Sequence, residues 1–119
     1  MNKLIGNFIQ SNARVLDLGC GDGSLLAFLK KNNQVKGLGL EIDHKKIQEC
    51  LQKDVSVIDQ DIDSGLSNFQ DQSFDAVIMS QSIQALRKPE VALEEITRIG
   101  KEAIISIPNF ANWRCRLQL

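Results

Sequence analysis

The chain has 119 residues, with 14 Lys+Arg against 15 Asp+Glu and a formal net charge of -1. Hydrophobic residues make up 43% and charged residues 24%, the composition of one globular domain rather than of a disordered chain. So even a charge balance excludes a general nucleic-acid binder, and no apolar run approaches the roughly 20 residues that span a bilayer.

Leu4, Ile5, Phe8 and Ile9 recur at helical spacing and predict a short amphipathic helix over 3–10. Val15-Leu16-Asp17-Leu18 reads as a short strand. Ser24 then caps a helix whose buried stripe is Leu25, Leu26, Phe28 and Leu29. A second strand over 35–40 ends on Glu41, and Asp43 caps a helix with Ile47, Cys50 and Leu51 on one face. Residues 55–58 form a third strand that runs out into Asp59-Gln60-Asp61, followed over 62–73 by a loop with a turn of helix. The fourth strand, 74–79, is apolar enough to be central. Pro89 suits the first turn of a helix carrying Val91, Leu93 and Ile96, and a fifth strand over 103–107 is stopped by Pro108.

Strands separated by helices, and too far apart for hairpins, imply a parallel sheet covered on both faces. Right-handed crossovers narrow this to a doubly wound α/β fold of about five strands in a single domain, 1–119. Ligands of such sheets bind beyond the carboxyl ends of the strands, where strand order reverses. The segments to interrogate are therefore 17–24, 41–43, 59–63, 80–84 and 108–110.

Asp17-Leu18-Gly19-Cys20-Gly21-Asp22-Gly23 follows the first strand and opens a helix. Glycines there either make a tight strand-helix turn or let a ligand approach the backbone. Glu41 ends the second strand, where a carboxylate can accept from both hydroxyls of a ribose. Asp61 similarly follows the third strand. It either accepts from an adenine amino group, with Ile62 packed on the ring, or belongs with Asp59 and Asp63 to a solvated acidic loop. The dinucleotide fingerprint needs a third Gly where Ser24 stands, and Asp17 and Asp22 would repel a pyrophosphate. The same acids suit an adenosyl ligand with a cationic amino-acid end.

Residues 15–23, Glu41, Asp61 and Phe74-Asp75-Ala76-Val77-Ile78 resemble the motif series of class I S-adenosylmethionine-dependent methyltransferases. Within that superfamily the chain most resembles the MetW family of methionine-biosynthesis proteins. This closer likeness rests on Gly39-Leu40-Glu41-Ile42-Asp43, Gln60-Asp61-Ile62-Asp63, Gly65-Leu66, Gln84-Ala85-Leu86 and Pro108-Asn109-Phe110 followed by Trp113-Arg114-Cys115-Arg116. The resemblance implies a Rossmann-like methyltransferase fold binding S-adenosylmethionine or S-adenosylhomocysteine. Gly19 and Gly21 would pass close to the methionine part and Asp17 lie near its amino group. Glu41 would hold the ribose and Asp61 and Ile62 flank the adenine, with Cys20 and Ile42 also in the cofactor-binding set. It also implies a homoserine O-acyltransferase as partner, in a cytoplasmic pathway. The three widely spaced cysteines, Cys20, Cys50 and Cys115, suit a reducing cytosol, as does the lack of a signal-peptide core over 1–10.

One departure from the superfamily is the expected loss of the last two strands, which reads either as an incomplete C-terminus or as a naturally short protein. The fifth strand would then be an exposed edge. Phe110, Trp113 and Leu117 would with it form a surface for self-association (a homo-oligomer) or for a partner, or else Trp113 packs on a further part of its own domain. Catalytic candidates are few. The loop after the fourth strand offers Gln81 and Gln84, which do not titrate, where many small-molecule methyltransferases carry a His. His44 reads as a first-turn helix residue, and Cys20 as a small residue of the turn. Arg114 and Arg116 either clamp an anion or are solvated. No residue is assigned a catalytic role. The cofactor pattern beside so few bases points first to a ligand-binding accessory protein, and second to a methyltransferase on a small acceptor. A scaffold with a disused site ranks third.

Overall fold

In the computed structural model, residues 2–79 and 86–105 are described in full and residues 113–116 as backbone. The chain alternates as expected. Helix α1 (Asn2–Gly6) leads to strand β1 (Arg14–Leu18), helix α2 (Ser24–Asn33) and strand β2 (Lys36–Glu41). Helix α3 (His44–Gln52) and strand β3 (Val57–Asp59) follow, then a 3-10 turn over Ile62–Ser64. Strand β4 (Ala76–Met79), helix α4 (Pro89–Ile99) and strands β5 (Glu102–Ile105) and β6 (Trp113–Arg116) complete the order.

The strands form one sheet in the order β3-β2-β1-β4-β5-β6. The first five are parallel, as the helix-strand alternation predicts. The sixth corrects an expectation. β6 runs antiparallel to β5, with Ile105 opposite Trp113 and Glu102 opposite Arg116, so β5 is not the open edge. A return strand satisfies the row of backbone groups that an edge would leave unpaired. The side chains of 113–116, and residues 106–110 and 117, lie outside the described residues, as does the surface expected of them.

Two cores flank the sheet. Val15, Leu26, Leu29, Cys50 and Ile78 belong to one face, under α1, α2 and α3. Leu16, Leu18, Leu40, Val77 and Ile96 belong to the other, under α4 and the 62–74 segment. Alternate residues of β1 therefore serve opposite layers, as the two-residue side-chain period requires. Helix α4 turns inward Ala92, Ile96 and Ile99; Val91 and Leu93, expected inside, are exposed. Leu51 on α3 is exposed as well, and Cys50 is the residue that helix buries. Both corrections have one cause: each helix lays a narrow stripe on the sheet, and neighbours of the stripe face water.

Arg98 fastens the second layer. Its guanidinium donates to the Leu66 and Phe69 carbonyls, to Asp71 and to both oxygens of Glu95 at 2.7–3.0 Å. The 66–71 loop is thereby tied to α4. Among the described residues no helix is long and apolar enough to cross a membrane.

Candidate functional site

Strand order reverses between β1 and β4, and the chain leaves β1 there through the glycine loop. Gly19, Gly21 and Gly23 have φ of 74°, 60° and 81°. These are left-handed values that side chains strain to adopt, which is why the turn is built of glycine. The loop hangs on β2: the Gly19 and Cys20 N–H groups both donate to the Leu40 carbonyl at 2.9 Å. A Cβ at Gly21 would meet nothing within 4 Å, so the backbone lies open to an approaching group.

Ser24 is not the cap expected of it. It is the first helical residue, and its N–H donates to Asp22 Oδ1 at 3.0 Å. Asp22 is also 3.6 Å from the Lys53 ammonium. The Ser24 bonds hold its carboxyl below the usual range, with Lys53 adding to the effect. Asp22 is therefore occupied as a helix-start carboxylate. On α3 the expected cap is in place, Asp43 Oδ1 accepting from Lys45 and Lys46.

Asp17 sits at the carboxyl end of β1 and is 1% exposed. Neither of its oxygens has a hydrogen-bond partner. Burial, reinforced by the charge of Glu41, pushes its carboxyl up to about 7. An unpaired buried carboxylate is costly, and a hydrogen-bond donor or cation brought to it would recover that cost. Glu41, 8% exposed, closes the far side of the loop. Its Oε1 accepts from the Gly21 N–H at 2.8 Å, and its Oε2 from the Ile42 and Asp43 N–H groups at 3.0 Å. Glu41 thus orders the loop and the start of α3, a duty that its strand-end position alone did not reveal.

Around this pair, Ile42 is 58% exposed beside Glu41. Asp61 is exposed and caps the 3-10 turn through the Asp63 N–H at 2.9 Å. Ile62 is half-buried against the second core. Asp63 is engaged elsewhere, accepting from the Arg87 N–H at 3.1 Å. The rim therefore offers one apolar and one acidic group on each side of the β2–β3 end. His44 lies on that rim but is turned to Asp59, its Nε2 3.0 Å from Oδ2.

Two cysteines meet under the loop, Cys20 Sγ 3.7 Å from Cys50 Sγ. Burial raises both thiols above their ordinary range, so neither is a thiolate nucleophile at neutral pH. Sequence reasoning placed Cys50 only in an apolar stripe. The signal it passed over is Gly37-Leu38-Gly39, since glycines inside a strand mark close approach. A Cβ on Gly39 would stand 2.8 Å from that of Cys20, and one on Gly37 2.9 Å from Leu26 Cδ2. The loop after β4, 80–85, lies outside the described residues. A cavity of about 600 Å³ occupies the opposite end of the sheet, between Arg14, Lys36, Val55 and Phe74, and contains no residue of the glycine loop.

Comparison with known proteins places this geometry. The model of the family described as methionine biosynthesis protein MetW matches residues 2–119. The bifunctional methionine biosynthesis protein MetXA/MetW of Rhodopirellula baltica is 37% identical over 111 residues, which are 87% of this chain and 18% of that protein. A TehB-like SAM-dependent methyltransferase from Corynebacterium glutamicum is 25% identical with a TM-score of 0.73, over 87% of this chain and 59% of its own. The [4+2]-cyclase SpnF superposes with a TM-score of 0.76 at 22% identity, over 87% of this chain and 42% of its own. The chain thus spans less than two thirds of each of these relatives. Likeness to both a methyltransferase and a cyclase marks a fold whose chemistry is decided by its site.

Proposed function

The chain belongs to the MetW family of methionine biosynthesis proteins, and from that premise we propose that it binds S-adenosylmethionine or S-adenosylhomocysteine and acts with a homoserine O-acyltransferase. The observation that carries the ligand is Asp17, a carboxylate buried without a partner at the end of β1 where the glycine loop begins. An α-ammonium group is a donor suited to it. Glu41, already aligned by three backbone N–H groups, keeps acceptor capacity for a ribose hydroxyl. Ile42 and Ile62 offer apolar surface to a purine, and Asp61 an acceptor for its amino group. The partner rests on the Rhodopirellula baltica relative, which joins MetXA and MetW in one chain.

When bound, S-adenosylmethionine supplies an electrophilic methyl group on a sulfonium. This chain's residues bind and orient; among those described, none is placed to take a proton from an acceptor. His44 is paired with Asp59, the two thiols stay protonated, and Asp17 is the group assigned to the ligand's own ammonium. That inventory favours the accessory role. Methyl transfer to a small acceptor is the second reading, supported by the likeness to the Corynebacterium glutamicum methyltransferase.

Calorimetric titration with both ligands tests the first claim. Binding is expected, and Glu41→Ala is expected to weaken it by at least about tenfold, as loss of a charged acceptor does. No binding by the folded chain overturns the ligand assignment. The partner claim is tested by adding the chain to a homoserine O-acyltransferase with and without ligand. A rate that never changes overturns it, and transfer of labelled methyl to a metabolite establishes the second reading.

A further inference from the structure

The Gly21 backbone is held on both sides of its Cα. Its N–H donates to Glu41 Oε1 on β2 at 2.8 Å, and its carbonyl accepts from the Cys50 thiol on α3 at 3.1 Å. The Cys20 sulfur is 3.8 Å from that carbonyl, a longer and weaker contact. Cys50 is fully buried, and burial keeps its thiol protonated, so it remains a donor at neutral pH. The fit around it is close. A Cβ on Gly23 would stand 3.0 Å from the Cys50 sulfur and 3.3 Å from its Cα. The loop, with positive φ at three glycines, has little conformational preference of its own, and at Gly21 it is held by these two contacts.

We propose that Cys50 is a positioning residue of the adenosyl-ligand site, its S–H fixing the Gly21 carbonyl so that the Gly21 N–H stays on Glu41 and the open face of the loop is presented to the ligand. The proposal rests on the reading of the loop as a ligand site. It assigns α3, which contributes no other side chain to the loop's hydrogen bonds, a share in ligand affinity. A residue that merely fills the space would act through packing volume. A positioning donor acts through its proton, which serine also carries and alanine does not.

The test uses the full chain with Cys50→Ala and Cys50→Ser, read by amide hydrogen exchange of Gly21 without ligand and by calorimetric titration with S-adenosylhomocysteine. Cys50→Ala is expected to speed Gly21 exchange and weaken binding by about fivefold each, the value of one hydrogen bond of about 1 kcal/mol. Cys50→Ser is expected to return both to within about twofold of the parent, even where its melting temperature stays low. Unchanged Gly21 exchange in Cys50→Ala overturns the proposal. So does a serine variant whose Gly21 exchange speeds up and whose affinity weakens, along with its melting temperature, as far as those of alanine. Should Cys50→Ala not fold, the serine variant decides alone: near-parental Gly21 exchange supports the donor role and a tenfold rise overturns it. A parent chain that binds no S-adenosylhomocysteine overturns the ligand reading instead, and the exchange data then still decide whether Cys50 holds the peptide.

Discussion

Replacing Asp17 by Asn isolates the cost of a buried, unpaired carboxylate. In the folded chain the group titrates at about 7 against an ordinary 3.8, so the folded state holds a proton that the unfolded state has released between those values. Stability contributed by the protonated form is complete below the lower value and is lost as pH rises through the upper one. At about 1.36 kcal/mol per pH unit, the accumulated loss is about 4 kcal/mol at pH 8. That is a large part of the ~5–15 kcal/mol that holds a domain together. Asn is nearly the same shape and carries no charge, so it is spared this loss. Urea unfolding of both proteins at pH 5, 6, 7 and 8, without ligand, should show the variant gaining on the parent with each step and levelling off near pH 8. Glu41 is the second cause of the shift, and Glu41→Gln should shrink the gain and make it level off at lower pH, because removing its charge makes ionisation of Asp17 in the folded chain easier. A gap independent of pH, or a variant weaker than the parent at pH 8, would refute the account of Asp17 as an unpaired buried acid.

Other consequences follow from the same contacts. Gly39→Ala would place a Cβ 2.8 Å from that of Cys20 and 3.3 Å from Leu26 Cδ1, and should cost about 1–3 kcal/mol in urea unfolding through overpacking; an unchanged midpoint would mean the loop yields freely. Arg98→Ala should cost about 2–3 kcal/mol, since two carbonyls and two carboxylates lose their shared donor. Arg98 holds the Glu95 carboxyl below its ordinary 4.5, so the pair's contribution is present above that value and fades as pH falls below it. The gap between parent and Arg98→Ala should accordingly narrow between pH 5 and pH 3, and a constant gap would assign the effect to the carbonyl contacts alone.

The sheet was legible because its signals are local. Apolar strands alternate with helical stripes, and Asp43 stands where a cap must stand. The glycine loop and Glu41 were legible for a similar reason, since each is fixed by its place at a strand end. What could not be read are the contacts between segments distant in sequence. A local miss is Ser24, whose place as helix start is served by Asp22 two residues earlier rather than by its own hydroxyl, because both residue types are helix caps and the sequence does not choose between them. Val91 and Leu93 look as apolar as Ala92 and Ile96, and only the angle at which α4 lies on the sheet decides which are buried. β6 was missed although Trp-Arg-Cys-Arg alternates apolar and charged residues, because four residues are the shortest stretch on which a two-residue period can be read.

Glu41 shows how a correct position can still hide a function. A carboxylate has about four acceptor positions, and three backbone N–H groups already use Glu41, from Gly21, Ile42 and Asp43. The side chain therefore shapes the glycine loop and the entry to α3 before any ligand arrives. A ribose seeking both its hydroxyls' acceptors at Glu41 would have to share with those amides, so occupancy of the site and order of the loop are linked through one residue. Asp17 adds the complementary element: a charge with no partner in the chain itself, held on the adjoining strand with its destabilisation reinforced by Glu41. A ligand bearing a cation at one end and a diol further along would relieve the first and engage the second. The two acids are thus unequal in kind. Glu41 is stabilised by the fold and lends shape to the site, whereas Asp17 is destabilised by the fold and gives a cationic ligand something to gain.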